Sequence, residues 1–276
     1  MDLGKAVELM EFNVVLPEVL SKSLSAEFSS EDLLKLKEIP LQESHLFADD
    51  PYQKIDKSKL DSKLKNSYIL CPMPDKIRSG NNTVPLNVFQ IIQYFGFAPN
   101  QLRKLFFINN SNKEGNSPVM EGWEKWFFNE KAVQDHPIYR THKPGWLFIR
   151  KSLIPDSGGK NLKDGSLKLR CNDKVPTLLE VLVGMIGFYF LIKDSKSSDQ
   201  KMRMPFYMDR DWFARILSGS MAWTTDQFSL KENLPGENLT IGFNTPGSGI
   251  NMEKLDPCKS SEVLGILPLR RLENLN

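Results

Sequence analysis

The chain has 276 residues, 40% of them hydrophobic and 25% charged, with a net charge of +2. This is the balance of a folded globular protein with one large domain or two small ones; it excludes collagen-like, low-complexity and disulfide-dense chains. The small total hides a division, since residues 1–53 carry four Lys and eleven Asp or Glu (−7), whereas residues 54–276 carry 32 basic and 23 acidic residues (+9). An acidic head that packs on a basic body accounts for this without a partner, and polyanion binding by the body is the alternative.

In the head, Val7, Met10, Val14 and Val15 recur near helical spacing, with Leu3, Leu9 and Phe12 widening the stripe. Pro17 is expected to kink or end that helix, because it has no backbone N–H. Ser29 and Ser30 before Glu31-Asp32 form a helix-start pattern. Residues 48–67 are polar and lysine-rich, which divides the chain into an acidic helical segment with linker (1–67) and an α+β body (68–276). The beginning of the chain lacks a basic, apolar leader pattern, so no signal peptide is read there. Cys71, Cys171 and Cys258 lie far apart without C-x-x-C or metal-ligand spacing. Reduced thiols in a cytoplasmic protein, with no metal and no cofactor, are the expectation.

Tyr68-Ile-Leu-Cys reads as a strand closed by Pro72 and Pro74, and residues 79–83 as a turn. Thr83 and Pro85 then open a helix through Val88, Phe89, Ile92 and Phe95. A second short helix starts at Pro99-Asn100 and a third runs from Glu121 to Val133. Trp146 to Arg150 is a strand, and residues 155–166 are a turn-rich loop. The run from Val175 to Ile192 is apolar all round except for Glu180, too short and too interrupted to favour a membrane span. It reads as a buried core helix with Leu178, Leu182 and Phe188 in the core. Strands follow at 202–208, 239–243 and 263–267, with a helix at 212–217. The fold class expected is α+β: helices packed on a mixed body whose small, mostly antiparallel sheet surrounds one buried apolar helix.

Chemistry-bearing residues concentrate between 135 and 180. Asp135, His136 and His142 place two imidazoles near a carboxylate, the groups that acid–base or metal chemistry uses. Glu180, inside the apolar run, must be paired or protonated; Arg150 or Arg203 would pair it, and a raised proton affinity would make it a catalytic acid. Asp209 and Asp211 add a further carboxylate pair. No nucleophile elbow or phosphate-binding loop occurs. Lys143 to Lys174 holds eight Lys or Arg against three Asp. With Trp146, Phe148 and Arg150 alternating on one strand face, and Lys151 and Lys160 beside them, this segment reads as a basic aromatic contact surface. The sequence therefore predicts a non-enzymatic binding or accessory protein meeting a protein partner or a polyanion, with membrane contact not expected. A hydrolase or lyase using Asp135, His136, His142 and Glu180 is the alternative.

Overall fold

The computed structural model describes residues 1–52, 63–97, 137–170, 172–195, 217, 220–228, 236–243 and 250–272. In the head, α1 (Leu3–Met10), α2 (Pro17–Leu24), the two-residue β1 (Ala26–Glu27), α3 (Ser30–Lys35) and α4 (Glu43–Leu46) follow one another. α5 (Leu64–Ser67) leads into β2 (Tyr68–Met73), the hairpin β3 (Lys76–Ser79) and β4 (Asn82–Pro85), and α6 (Val88–Phe97). Then come β5 (Gly145–Arg150), α7 (Leu162–Ser166) and α8 (Leu178–Ser195). Strands β6 (Ser220–Phe228), β7 (Glu237–Phe243), β8 (Asn251–Leu255), β9 (Leu264–Gly265) and β10 (Leu269–Leu272) end the chain's described part.

The molecule is α+β, with strand orders β1-β3-β4, β10-β5-β2 and β8-β7-β6-β9, antiparallel except where β9 joins β6. The β10-β5-β2 sheet is the middle layer. One face presents Ile69, Cys71, Leu147, Ile149 and Leu269 to a core shared with α8. The other presents Tyr68, Leu70, Trp146, Phe148 and Leu272 to the head, where Ala6, Met10, Leu36 and Leu46 meet them. Beyond α8 lies the four-stranded sheet, which adds Ala222, Leu239, Ile241 and Met252. Residues 178–188 of α8 are therefore buried throughout, with Leu178, Leu182 and Phe188 at 1%, 0% and 4% exposure. An all-round apolar helix calls for such a position. Among the described residues no helix is long and apolar enough to cross a membrane.

Local signals in the head act as expected at Ser29, whose side chain and Asp32 form a reciprocal capping box on α3. They differ at Pro17. α1 ends earlier, at Met10, where Glu11 takes a positive φ of 50°, and Pro17 opens α2 as its first residue. Val14 and Val15 are then extended and bond alongside Leu70, which ties the head to the middle sheet. Thr83 and Pro85 lie in β4, not at a helix start; Asn87 caps α6 instead, its side chain accepting from the Gln90 N–H at 2.8 Å. Pro72 falls inside β2, whose six residues are all buried. The expected elements around 99–106, 121–133 and 202–208 lie outside the described residues, as do those of 212–217 apart from Leu217.

Gly187 sits where α8 passes α2 and β2. A Cβ there would come within 3.0 Å of both Leu20 and Val15 and 3.4 Å of Cys71 Sγ. Gly187→Leu should overpack this contact and lower stability by about 1–3 kcal/mol. Urea denaturation should show a lower midpoint with an unchanged slope.

Candidate functional site

The polar groups of the interior gather where α8 starts. The first turn of a helix leaves backbone N–H groups without intrahelical partners, and a buried start must satisfy them from side chains. Here three residues do so. The Glu180 N–H donates to Thr177 Oγ1 at 3.3 Å, and the Glu180 carboxylate accepts from the Thr177 N–H at 2.8 Å. This is a Thr-x-x-Glu capping box. The Leu178 N–H donates to the Asp226 carboxylate at 2.6 Å, from the neighbouring β6.

Cations then neutralise the two carboxylates. Lys174 Nζ lies 3.0 Å from Glu180 Oε1 and Arg271 Nε 3.5 Å from the same oxygen. Arg140 Nη1 lies 3.3 Å from Asp226 Oδ1. His142 completes the cluster, its Nε2 2.9 Å from Thr177 Oγ1. The Thr177 hydroxyl has one proton, and it donates to Glu180 at 3.1 Å. His142 Nε2 must then be the donor to Thr177, which leaves Nδ1 as an acceptor.

Proton affinities follow from these contacts. Burial raises that of Glu180, but the Thr177 N–H, Lys174 and His142 outweigh it and hold the carboxyl below its ordinary value. Burial raises Asp226, only partly offset by the Leu178 N–H and Arg140 and reinforced by Glu180, so this carboxyl lies above its ordinary value. Burial lowers His142; Glu180 opposes the shift, while Arg271, Lys174 and Arg140 add to it.

Several expectations change in this light. Glu180 is fully buried, but Lys174 and Arg271 pair it, not Arg150, and its lowered proton affinity rules against a catalytic acid held protonated. Arg203, Asp209 and Asp211 lie outside the described residues, and so do Asp135 and His136, so only His142 of that trio is placed. Among the described residues no group of three His, Cys, Asp or Glu is arranged to hold a metal ion. The contact surface expected on β5 is an interior. Trp146, Phe148 and Arg150 are 2%, 1% and 3% exposed, because the head covers the face that alternation assigned to a partner. The Trp146 indole N–H donates to the Leu36 carbonyl, and Tyr68 stacks on Phe148 at 4.5 Å between ring centroids. Arg150 Nε donates to Asp50 at 3.1 Å, and its Nη1 to Ser152 and the Leu153 carbonyl. Lys151 donates to Asn13 at 3.0 Å and lies over the Phe188 ring.

Lys160 is exposed, and it belongs to a different surface. On and around α7, Lys160, Lys163, Lys168 and Arg170 join no ion pair among the described residues. In their midst Leu167 is 78% exposed. Leu167, Lys168 and Arg170 border an open groove of about 410 Å³ whose other walls include Tyr52, Ile154 and Pro155. A second open groove, about 570 Å³, lies between α3 and the β3–β4 hairpin; its Glu27 is already bound to Arg78 and Thr83.

Thr177, Asp226, Lys174, Arg271 and Arg140 were not singled out from sequence. Thr177 had a signal, the T-x-x-E spacing to Glu180 just before an apolar run, and Lys174 lies only six positions from Glu180; Asp226, Arg271 and Arg140 are brought in from distant segments and had none. Compared with known proteins, the chain matches no protein-family model, no curated protein and no solved structure.

Glu180→Gln should cost about 1–3 kcal/mol at neutral pH, since it leaves the largely buried Arg271 facing a neutral amide while the half-exposed Lys174 keeps its water. Because the carboxyl is held below its ordinary value, its contribution is complete above the unfolded-state value and lost as pH falls through the folded one. Denaturation midpoints of wild type and variant should therefore converge on acidification, and a gap that stays constant would contradict this account.

Proposed function

We propose that the chain is a soluble, non-enzymatic binding or accessory protein whose contact surface is the α7 region, with an acidic protein segment as its partner. The unpaired cations around an exposed leucine carry this reading. The interior carboxylates Asp50, Glu180 and Asp226 each have a cationic partner. Among the described residues Lys160, Lys163, Lys168 and Arg170 have none, which leaves them to meet acidic groups, and Leu167 beside the groove offers an apolar anchor. Nucleic acid would use the cations but gain little from an aliphatic anchor, so the leucine favours a protein.

A hydrolase or lyase is the second reading, supported by one observation. His142 lies beside Glu180, and Glu180 and Asp226, which share one helix start, have proton affinities pushed in opposite directions, the pattern of an acid–base pair. Against it stands the use of both carboxylates and of Thr177 in holding α8. Transition-metal content of the purified protein bears on the metal version of this reading: a stoichiometric metal lost in His142→Gln would favour it over the binding protein.

The wild type should bind poly-L-glutamate and heparin at ~50 mM salt and weaken markedly by ~200 mM, as counterion release requires. Lys160→Glu/Lys163→Glu/Lys168→Glu/Arg170→Glu should abolish both. An acidic peptide carrying one leucine should bind more tightly than poly-L-glutamate, and Leu167→Ser should remove that difference alone. Absence of all binding at low salt would sink the proposal.

A further inference from the structure

Three cations from separate segments act on His142 by charge, Arg140, Lys174 and Arg271, and Lys143 is its neighbour in sequence. Arg140 and Lys143 precede β5, Lys174 precedes α8, and Arg271 comes from β10. Arg271 Nη1 donates to the Lys143 carbonyl at 3.3 Å. Among the described residues, the carboxylates of the cluster are Glu180 and Asp226. Their side chains are 0% and 3% exposed and face inward on the start of α8. Arg140 and Lys174 are 55% and 47% exposed, and Lys143 is exposed. Among the described residues these four cations outnumber the two carboxylates by two, and Arg140, Lys143 and Lys174 are the members open to solvent.

Arg271 supplies the second observation. Among the described residues its Nε and Nη2 are shut off from solvent and find no hydrogen-bond partner. The 3.5 Å approach of Nε to Glu180 Oε1 is close enough for charge attraction but lacks hydrogen-bond alignment. Buried guanidinium donors left unmet cost stability. A guanidinium fork matches the oxygens of a phosphate in pairs. At the helix start the Thr177, Leu178 and Glu180 N–H groups are already taken by Glu180, Asp226 and Thr177.

We propose that Arg140, Lys143, Lys174 and Arg271, with His142 at their centre, form a binding site for a phosphate-type dianion. The excess charge of the cluster matches the charge of the ligand. The guanidinium of Arg271, which has one 3.3 Å hydrogen bond to the Lys143 carbonyl, turns its unmet donors to the phosphate oxygens. Lys174 shares its ammonium between Glu180 and the ligand. Protonation of His142 at Nδ1 then adds a further donor. In the ligand-free protein burial and the three cations disfavour that protonation, with only Glu180 opposing them. Bound phosphate reverses the balance, so binding and His142 protonation promote each other.

The site shares no cation with the α7 surface and is tested independently of it. Inorganic phosphate and glycerol 3-phosphate are titrated at constant ionic strength into protein with labelled histidines, with His142 assigned through His142→Gln. The expected result is a saturable shift of the His142 ring signals and a rise in its pKa with either probe. Tighter binding of the ester would assign a phosphomonoester as the ligand class, and tighter binding of the free anion would assign phosphate itself. Arg140→Met/Lys143→Met should weaken binding about tenfold or more; because Arg140 also neutralises the buried Asp226, cooperative unfolding of the variant is checked first, and Lys143→Met alone, at an exposed position, should weaken binding in the same direction. Arg271→Met should do the same and, if it proves unstable, the outer pair carries the test. The quadruple Glu variant of the α7 surface should bind phosphate as wild type does. No saturable His142 shift at ~20 mM phosphate, well above a Kd of about 1 mM, overturns the site. So does undiminished affinity in Arg140→Met/Lys143→Met.

Discussion

An apolar helix with no polar face has to be covered on every side, and the architecture is organised around meeting that demand for α8. The middle sheet covers one side, the β8-β7-β6-β9 sheet the opposite one, and α2 and α6 close the remainder. Side-chain burial at roughly 25 cal/mol per Å² drives this, but it also carries the helix start away from water, where unmet N–H groups are expensive. Thr177, Glu180 and Asp226 answer that cost, and their charges call in Lys174, Arg271 and Arg140. The most chemically loaded corner of the molecule thus follows from the most apolar segment of the chain.

The same logic operates at the other deep ion pair. Arg150 ends β5, and its guanidinium, 4% exposed, meets Asp50 from the acidic head. Nearby, the Tyr52 hydroxyl donates to Asp173 at 2.7 Å, and Arg270 closes on the same carboxylate at 2.9 Å. The acidic head therefore meets the basic body in two ways. An apolar cluster supplies the area, and a small set of buried charges fixes the register, because a buried ion pair tolerates little displacement before a charge is left alone. The residues of the head that remain acidic at the surface have no such role.

What could be read from sequence divides along the same line. Segments whose partner is local were legible: the Ser29 cap, the strands at 68 and 146, the helix from 178. The α+β class followed from their order. Failures came where the partner is remote. Strand β5 alternates Trp146, Phe148 and Arg150 with Leu147 and Ile149, a pattern that normally marks one wet face. Here the head supplies a second core to that face, and nothing within residues 145–150 records the head's presence. Glu180 was legible as a buried charge but its partners were not, since Arg271 is 91 positions away. The Thr177–Glu180 spacing was the one local clue, and it was obscured by the length of the apolar run that follows it.

The distinction between used and unused charge also decides how the candidate sites rank. A carboxylate or cation in the interior with a partner at about 3 Å is explained by the fold, and perturbed proton affinity there is a consequence of burial as much as a sign of chemistry. Glu180 illustrates this: its surroundings depress its proton affinity, yet Oε2 is already engaged by Thr177 at the helix start and Oε1 by Lys174. Function is better sought where the fold leaves charge over. Lys160, Lys163, Lys168 and Arg170 beside an exposed leucine are one such remainder. The cationic excess over His142, with guanidinium donors that no side chain meets, is the other. Both remainders are positive and both adjoin the body, so the chain's divided charge survives folding as a surface property even though the head neutralises part of it.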